Sequence, residues 1–526
     1  MPLISFKNLG AYGLITDMAP GELPLEAWSY AKNVKFTQYG VEPTLGNVAI
    51  GGTPSVEPLQ AFSAVIGSDT VWSYWGEEKA YSTDGTTQYE ITRAASNYST
   101  DLDRKWNGGN FNGIVIANNG VDVPQAWEPT GYSTKAIDLP NWPATLTCAV
   151  LRPLGNFLVA LALTDSTVYK PTALRWSHPA DPGDVPVSWD ITDATKDAGE
   201  WYLNETPGEL TDLIPLQGDG LLYKSDSIYR MQYVGGVYIF KFPKVAAFVG
   251  MPTPNCAVEV RPGTHIFWSG DDILMTDGQT FKSVIDGKCR QKIQGIADTV
   301  YRSVSMVYNP QRSEIWLCWS ENESVPRLAT TALVLNWVTG AWGIRELGPS
   351  GFNFITTGVV DPSAGTAETW ASVTGTWADD TARWNESATS RSTLRLLGGT
   401  QTQLTYEDTG YTLFGNTYES VVERIAFGIP FKQNQPPDIS SWKFCREIWP
   451  RMSGEAGTEI EVTIGSMREI SDTVTWEAPQ TFVIGQDTKV NCTCSGRLFA
   501  LRFKSAAAAR WVLHGYDLEV NFAGSF

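Results

Sequence analysis

Short apolar runs, each closed by a small or turn-forming residue, set the rhythm of this 526-residue chain. Val115-Ile116-Ala117-Asn118-Asn119-Gly120-Val121, Leu222-Tyr223-Lys224-Ser225-Asp226-Ser227-Ile228 and Phe267-Trp268-Ser269-Gly270-Asp271-Asp272-Ile273 share one layout. An apolar strand ending is followed by a turn-forming residue, an Asn or Asp, and a β-branched restart. Asn, Asp and Gly tolerate the positive φ of tight hairpin turns, so the layout predicts a β-hairpin. Its recurrence makes the hairpin a module.

Further apolar strand centres fall at Trp72, Leu158, Trp316, Ile355 and Leu404. With the three above, the successive intervals are 43, 43, 64, 45, 49, 39 and 49 residues. Periods of about 40 to 50 residues with several short strands each predict β-propeller blades. About six to eight irregular blades are expected over residues 51–424. The 64-residue interval holds Pro179, Asp181, Pro182, Gly183, Asp184 and Pro186, a turn-rich stretch that predicts a loop inserted near 179–201.

Near the C-terminus, Ile460, Val462 and Ile464 alternate with Glu459, Glu461 and Thr463, and Leu518, Val520 and Phe522 alternate with Glu519 and Asn521. Half-buried antiparallel strands alternate this way, so residues 425–526 are expected to form a separate β-sandwich, with Pro436-Pro437 near its boundary. Residues 1–50 read as an extended arm and a hairpin, with Val34 and Phe36 on one face and a turn at Tyr39-Gly40.

Composition agrees with an all-β chain. Gly 48, Pro 30, Trp 21, Tyr 20 and Phe 21, with only 18% charged residues, suit many short strands joined by tight turns. No run of 18 apolar residues occurs, so no membrane-spanning segment is expected. Met1 to Gly10 lacks a basic stretch followed by an apolar one, so no secretory leader is expected.

The net charge of −18 argues against ordinary nucleic-acid binding, in which Lys and Arg neutralise phosphates. It is compatible with a surface that DNA passes without sticking. Residues 430–526 hold 10 basic and 11 acidic side chains, so the acidity belongs to the first 429 residues.

The chemistry-bearing residues are sparse. His178, His265 and His514 have no partner at an interpretable spacing, and no Gly-x-Ser-x-Gly elbow or phosphate-binding loop occurs. Glu77-Glu78, Asp271-Asp272 and Asp379-Asp380 are adjacent, and neighbours on a strand face opposite ways, whereas glycosidase carboxyls flank one bond. Ser82-Thr83-Asp84-Gly85-Thr86 reads as an Asp-Gly turn. The seven cysteines are scattered; Cys492 and Cys494 share a face but lack partners at zinc spacing. No enzyme activity, cofactor or metal is expected.

Trp370, Trp377 and Trp384 recur at seven residues, but Gly375 and many Thr and Asp disfavour a helix. The stretch 369–390 is expected to be a second insertion, serving packing or a subunit contact rather than a ligand. Together with Asp181, Asp184 and Trp189 of the first insertion, these tryptophans are the candidate interaction or gate residues.

Gly13-Leu14-Ile15-Thr16-Asp17, Gly21 to Ser29, Lys32 to Phe36 and Val41-Glu42-Pro43-Thr44-Leu45-Gly46 follow in order at the N-terminus. This wording resembles the start of the tail nozzle, or packaged-DNA stabilisation, proteins of short-tailed bacteriophages. Leu174-Arg175-Trp176-Ser177 with Pro186 and Trp189 resembles a blade-edge pattern of that group, and Gly496 to Phe503 with Trp511 to Val520 resembles its closing segment. The resemblance implies a structural virion protein of the phage tail. It would form a homo-oligomeric, hexameric ring that retains and then passes genomic double-stranded DNA. It would join a tail adaptor and contact fibre, spike or needle proteins. The competing expectation is a propeller adhesin or depolymerase acting on host surface polysaccharide.

Overall fold

The computed structural model describes residues 3–67, 69–236, 238–360, 393–432 and 435–523. The chain is all-β, a propeller joined to a β-sandwich. Seven sheets, each built around four antiparallel strands, succeed one another along the chain. Their first strands are Gln60–Ile66, Asn107–Phe111, Leu146–Leu154, Leu210–Leu216, Ala257–Arg261, Ser305–Asn309 and Phe354–Val360. Each first strand neighbours the next, and the seventh neighbours the first, so the seven blades close a ring.

The blade faces hold the ring together. Trp75, Trp106 and Trp127 fill the space between blades 1 and 2, Trp142 and Trp189 that between blades 2 and 3, and Trp72 packs with Phe354 between blades 7 and 1. Burying aromatics of this size dominates the energetics of such thin cores. At Gly358 the approach is so close that a Cβ would lie 2.2 Å from the Trp72 ring.

Closure is not sequential. Blade 7 takes its first three strands from Phe354 to Glu407 and its outer strand, Asn47–Ile50, from the other end of the propeller, with Asn47 opposite Glu407 and Ile50 opposite Leu404. Pairing the last blade with an early strand removes an open seam from the ring.

Six of the eight expected strand centres lie in second strands, one per blade from 1 to 6. Ile355 and Leu404 both belong to blade 7, which reduces the intervals to seven blades. The three aligned stretches occupy equivalent positions, the turn between second and third strands in blades 2, 4 and 5. A second repeat escaped the sequence reading. Thr83-Asp84-Gly85 and Thr276-Asp277-Gly278 make the same turn between third and fourth strands of blades 1 and 5. In each, the Thr hydroxyl accepts the Gly amide, at 3.1 and 3.0 Å, and the Asp carboxylate accepts the next two amides.

The sandwich uses both ends of the chain. One sheet orders Val34–Thr37, Gly40–Pro43, Trp511–Phe522, Lys443–Gly454 and Val490–Gly496, with Leu3–Phe6 also paired to Trp511–Phe522. The other orders Tyr30–Lys32, Ser420–Phe427, Leu498–Ser505, Glu459–Met467 and Thr475–Trp476, with Gln480–Val483 also paired to Glu459–Met467. Val34 and Phe36 face inward as their alternation predicts, and so do Ile460, Val462, Ile464, Leu518 and Val520. The arm and hairpin are thus integral to the sandwich, which takes up the chain again at Ser420. Pro436-Pro437 lies inside it, in the connection between Ser420–Phe427 and Lys443–Gly454, and not at its border.

Between the hairpin and the rim the arm is tied to blades 5 and 6. The Leu14 amide donates to Trp342 O at 2.9 Å, the Thr16 and Asp17 amides to Lys288 O, and the Asn33 amide to Ile344 O. No helix among the described residues is long and apolar enough to cross a membrane.

Candidate functional site: the propeller channel

The seven first strands surround a space of about 640 Å³, reached by Gln60, Gly108, Arg152, Ile214, Val258, Val307 and Ile355, one from each blade in turn. At one end it meets a second cavity of about 490 Å³. This mouth is framed by Asp103-Arg104-Lys105 between blades 1 and 2, Thr253-Pro254-Asn255 between blades 4 and 5, and Arg302 between blades 5 and 6. Asn119 and Gly120 of the repeated turn stand beside them. Lys105 and Asn255 line both spaces and so form the neck.

Below the neck, Arg152 ties blades 2, 3 and 4 to the connection between blades 4 and 5. Its guanidinium donates to Asp212 at 2.7 and 3.0 Å, to Gly108 O at 2.9 Å and to Asn255 Oδ1 at 2.6 Å. Asp212 also accepts the Asn255 amide at 2.8 Å. The pair is hydrogen-bonded all round, the condition under which buried charges are tolerated.

Lys105 differs. Among the described residues no carboxylate lies within ion-pair distance of its ammonium, whereas Arg302 pairs with Asp103 at 2.9 Å and Arg104 with Asp101 at 3.3 Å. The Lys105 side chain is half-buried between the two spaces, with the buried thiols of Cys256 and Cys318 close enough to act on it electrostatically, and partial loss of hydration pulls its pKa down to about 8.

The remaining chemistry-bearing residues are structural in their contacts. His265 is buried; its Nε2 donates to Pro215 O at 2.8 Å and its Nδ1 accepts the Tyr223 hydroxyl at 3.0 Å, while desolvation lowers its pKa. His178 Nδ1 accepts the Asp197 amide at 3.0 Å. His514 accepts the Ser453 hydroxyl at 2.7 Å and donates to Tyr39 O at 2.7 Å on an exposed sheet face, with a carbonyl where a hydrolytic triad places a carboxylate. Asp272 is held by Arg290 and Ser283 at 2.8 and 2.7 Å, Asp271 stands in the neighbouring turn, and Glu77-Glu78 is exposed. Cys492 and Cys494 do lie on one face, with Cys492 Sγ 3.7 Å from Cys445 Sγ; among the described residues no metal-binding group of side chains occurs.

The first insertion joins the third and fourth strands of blade 3, and Trp189 is its anchor: 1% exposed, it meets Trp142 edge-on at 4.6 Å. Its ring cannot touch a partner. Asp181 and Asp184 are exposed, and their carbonyls accept the Asn112 side chain of blade 2 at 3.2 and 3.4 Å. Trp370, Trp377 and Trp384 lie outside the described residues. Their segment connects the first and second strands of blade 7, whose ends share the propeller face of the first insertion, opposite the mouth. Sequence reasoning missed the exposed aromatics on the outer edge of blades 3 and 4: Trp201, Tyr202, Tyr233 and Tyr238. Trp201 and Tyr202 lie on an outermost strand, Tyr233 on the third strand of blade 4 and Tyr238 in the turn after it, so their shared edge is legible only once the blades are counted.

No family model and no curated protein matches the chain. Among solved structures it is similar to the WD40 β-propeller domain of Doa1, with 10% identity over 69% of this chain and 95% of that one at a TM-score of 0.37. YCF48 bound to D1 peptide gives 14% identity over 69% and 97% at 0.36, and the coronin WD40 domain of Toxoplasma gondii 7% over 69% and 87% at 0.34. The blade count rests on the sheet order alone.

Proposed function

We propose that this chain is a structural protein of a short phage tail, a subunit of the distal nozzle through which the genome leaves. One observation carries the reading: the two terminal segments whose wording resembles nozzle proteins are partners in one module. Val41 pairs with Leu513, a Cβ on Gly40 would strike Leu513 O, and Trp28 meets Phe503 edge-on at 6.5 Å. Residues 13–46 and 496–520 are thus one resemblance and not two.

The geometry refines where DNA would run. A space of about 640 Å³ is of small-molecule size, so a duplex cannot thread a single propeller. The conduit of this proposal is enclosed between copies in a closed ring, six in the resemblance. Its acidic chains would neither bind nor trap a polyanion carrying a charge every ~1.7 Å of axis. The exposed aromatic edge of blades 3 and 4 is the surface offered to a neighbouring subunit, an adaptor or a fibre.

Electron microscopy of tails carrying a tagged chain, with mass photometry of the isolated protein, tests the reading. Six-fold rings at the tail tip are expected. A monomer absent from virions, or saturable binding and cleavage of host polysaccharide, overturns it in favour of the adhesin.

A further inference from the structure

The neck of the channel combines features that the nozzle reading does not use. A lysine stands there, between two cavities and with no counter-ion among the described residues, in a chain whose net charge is −18. Each other cation of the mouth has its own carboxylate: Arg302 has Asp103, Arg104 has Asp101, and Arg152 has Asp212. Glu259, lower in the channel, accepts the Gly263 amide at 3.0 Å. A half-buried charge with no carboxylate beside it among the described residues is costly, and a chain with acidic residues in excess could have placed one here.

We propose that the neck is a binding site for a small oxyanion, phosphate or carboxylate, held by the Lys105 ammonium in the mouth cavity. The cavity of about 490 Å³ admits such a ligand with part of its hydration shell. Thr164 and Thr253 line the same cavity and supply hydroxyl donors, and Asn255 presents an amide whose Oδ1 is already taken by Arg152. A charge-assisted hydrogen bond to an anion at this depth is stronger than at an open surface. Nucleic acid is too bulky for the space, so the ligand is a free anion. The proposal does not rest on the nozzle reading.

The test uses the full chain, with inorganic phosphate and acetate as separate probes, each titrated against chloride at constant ionic strength. Thermal unfolding and calorimetry report binding, and acetic anhydride labelling read by mass spectrometry reports access to Lys105. Saturable stabilisation by at least one probe is expected, with Lys105 labelling slowed several-fold. Lys105→Met should weaken binding at least ten-fold, and Lys105→Arg should retain it. Without anion, Lys105→Met should unfold at the wild-type temperature or above, since it removes an uncompensated charge. Failure of both probes to bind, or equal binding by Lys105→Met, overturns the proposal. So does a lower unfolding temperature of Lys105→Met without anion, which would show the ammonium to be satisfied by the protein itself.

Discussion

Arg345 lies over the indole of Trp316, its guanidinium carbon 4.2 Å from the ring centroid, and the same guanidinium reaches Glu407 at 3.4 Å and Asp408 at 3.6 Å. Trp316 and Arg345 belong to blade 6 and the two acids to blade 7, and Arg345 also donates to Gly46 O at 3.3 Å, at the entry to the closing strand. One 1%-exposed cation therefore fastens two blades and the seam of the ring.

Removing that cation should be costly. Arg345→Met would leave Glu407 buried and short of a counter-charge, and above pH 7, where Glu407 is ionised beside Arg345, losing one partner of a buried pair costs about 3–5 kcal/mol. The double variant Arg345→Met/Glu407→Gln should recover part of the loss. Chemical denaturation followed by tryptophan fluorescence measures both. A loss below about 1 kcal/mol for the single variant would show the seam to be held by backbone pairing alone.

The same cluster predicts a pH dependence. Burial pushes the Glu314 and Glu407 carboxyls up to about 7, helped by the neighbouring Asp408 and opposed by Arg345, with Lys35 also opposing at Glu314. Both groups bind protons more tightly folded than unfolded, where their ordinary value is 4.5. Their contribution is complete below pH 4.5 and is lost as pH rises through about 7, each unit being worth about 1.4 kcal/mol per group. Unfolding temperatures should fall between pH 5 and pH 8. Glu314→Gln keeps an acceptor for the Trp316 indole, which now donates to Glu314 at 3.2 Å, and should flatten the slope. An unchanged slope would assign the dependence elsewhere.

The ring has a second seam, between blades 7 and 1, at Gly358. Gly358→Ala would set a methyl within 2.2 Å of Trp72 and force the indole out of its place beside Phe354. Overpacking of this kind costs about 1–3 kcal/mol. Gly358→Ala/Trp72→Phe should be more stable than the single glycine variant, because the smaller ring makes room. Calorimetry of the three proteins decides the point.

What the sequence disclosed follows from which interactions are local. Hairpins write themselves into the chain as apolar runs and turn residues, so Asn119, Asp226 and Asp271 marked equivalent turns correctly. The alternation at Ile460 to Ile464 likewise gave the sandwich strands their inward faces. Long-range pairing leaves no such trace. Nothing around Asn47 says that its partner is Glu407, and nothing around Val41 points to Leu513. Ile355 and Leu404 fall a blade's length apart yet belong to one blade, because residues 361–392 intervene between its first and second strands. Trp189 looked like a loop residue by its neighbours, yet a 22-residue connection can be compact when it carries one large apolar anchor. Lys105 was invisible for the converse reason, since a lysine in a polar stretch becomes notable only when the ring closes around it.

Joining the two ends of the chain in one sandwich predicts that a single buried residue of the arm supports the far terminus. Trp28 is 1% exposed, donates its indole proton to Leu9 O at 2.8 Å, and meets Phe503 of the C-terminal sheet edge-on. Trp28→Ala should cost about 3–5 kcal/mol. Its effect should appear far away in sequence: amide exchange should accelerate across Leu498–Ser505 and Trp511–Phe522 while blades 1 to 3, which share no core with Trp28, keep their protection. Acceleration confined to residues 1–43 would mean that the arm is a surface strap and that the C-terminal strands form a sandwich without it.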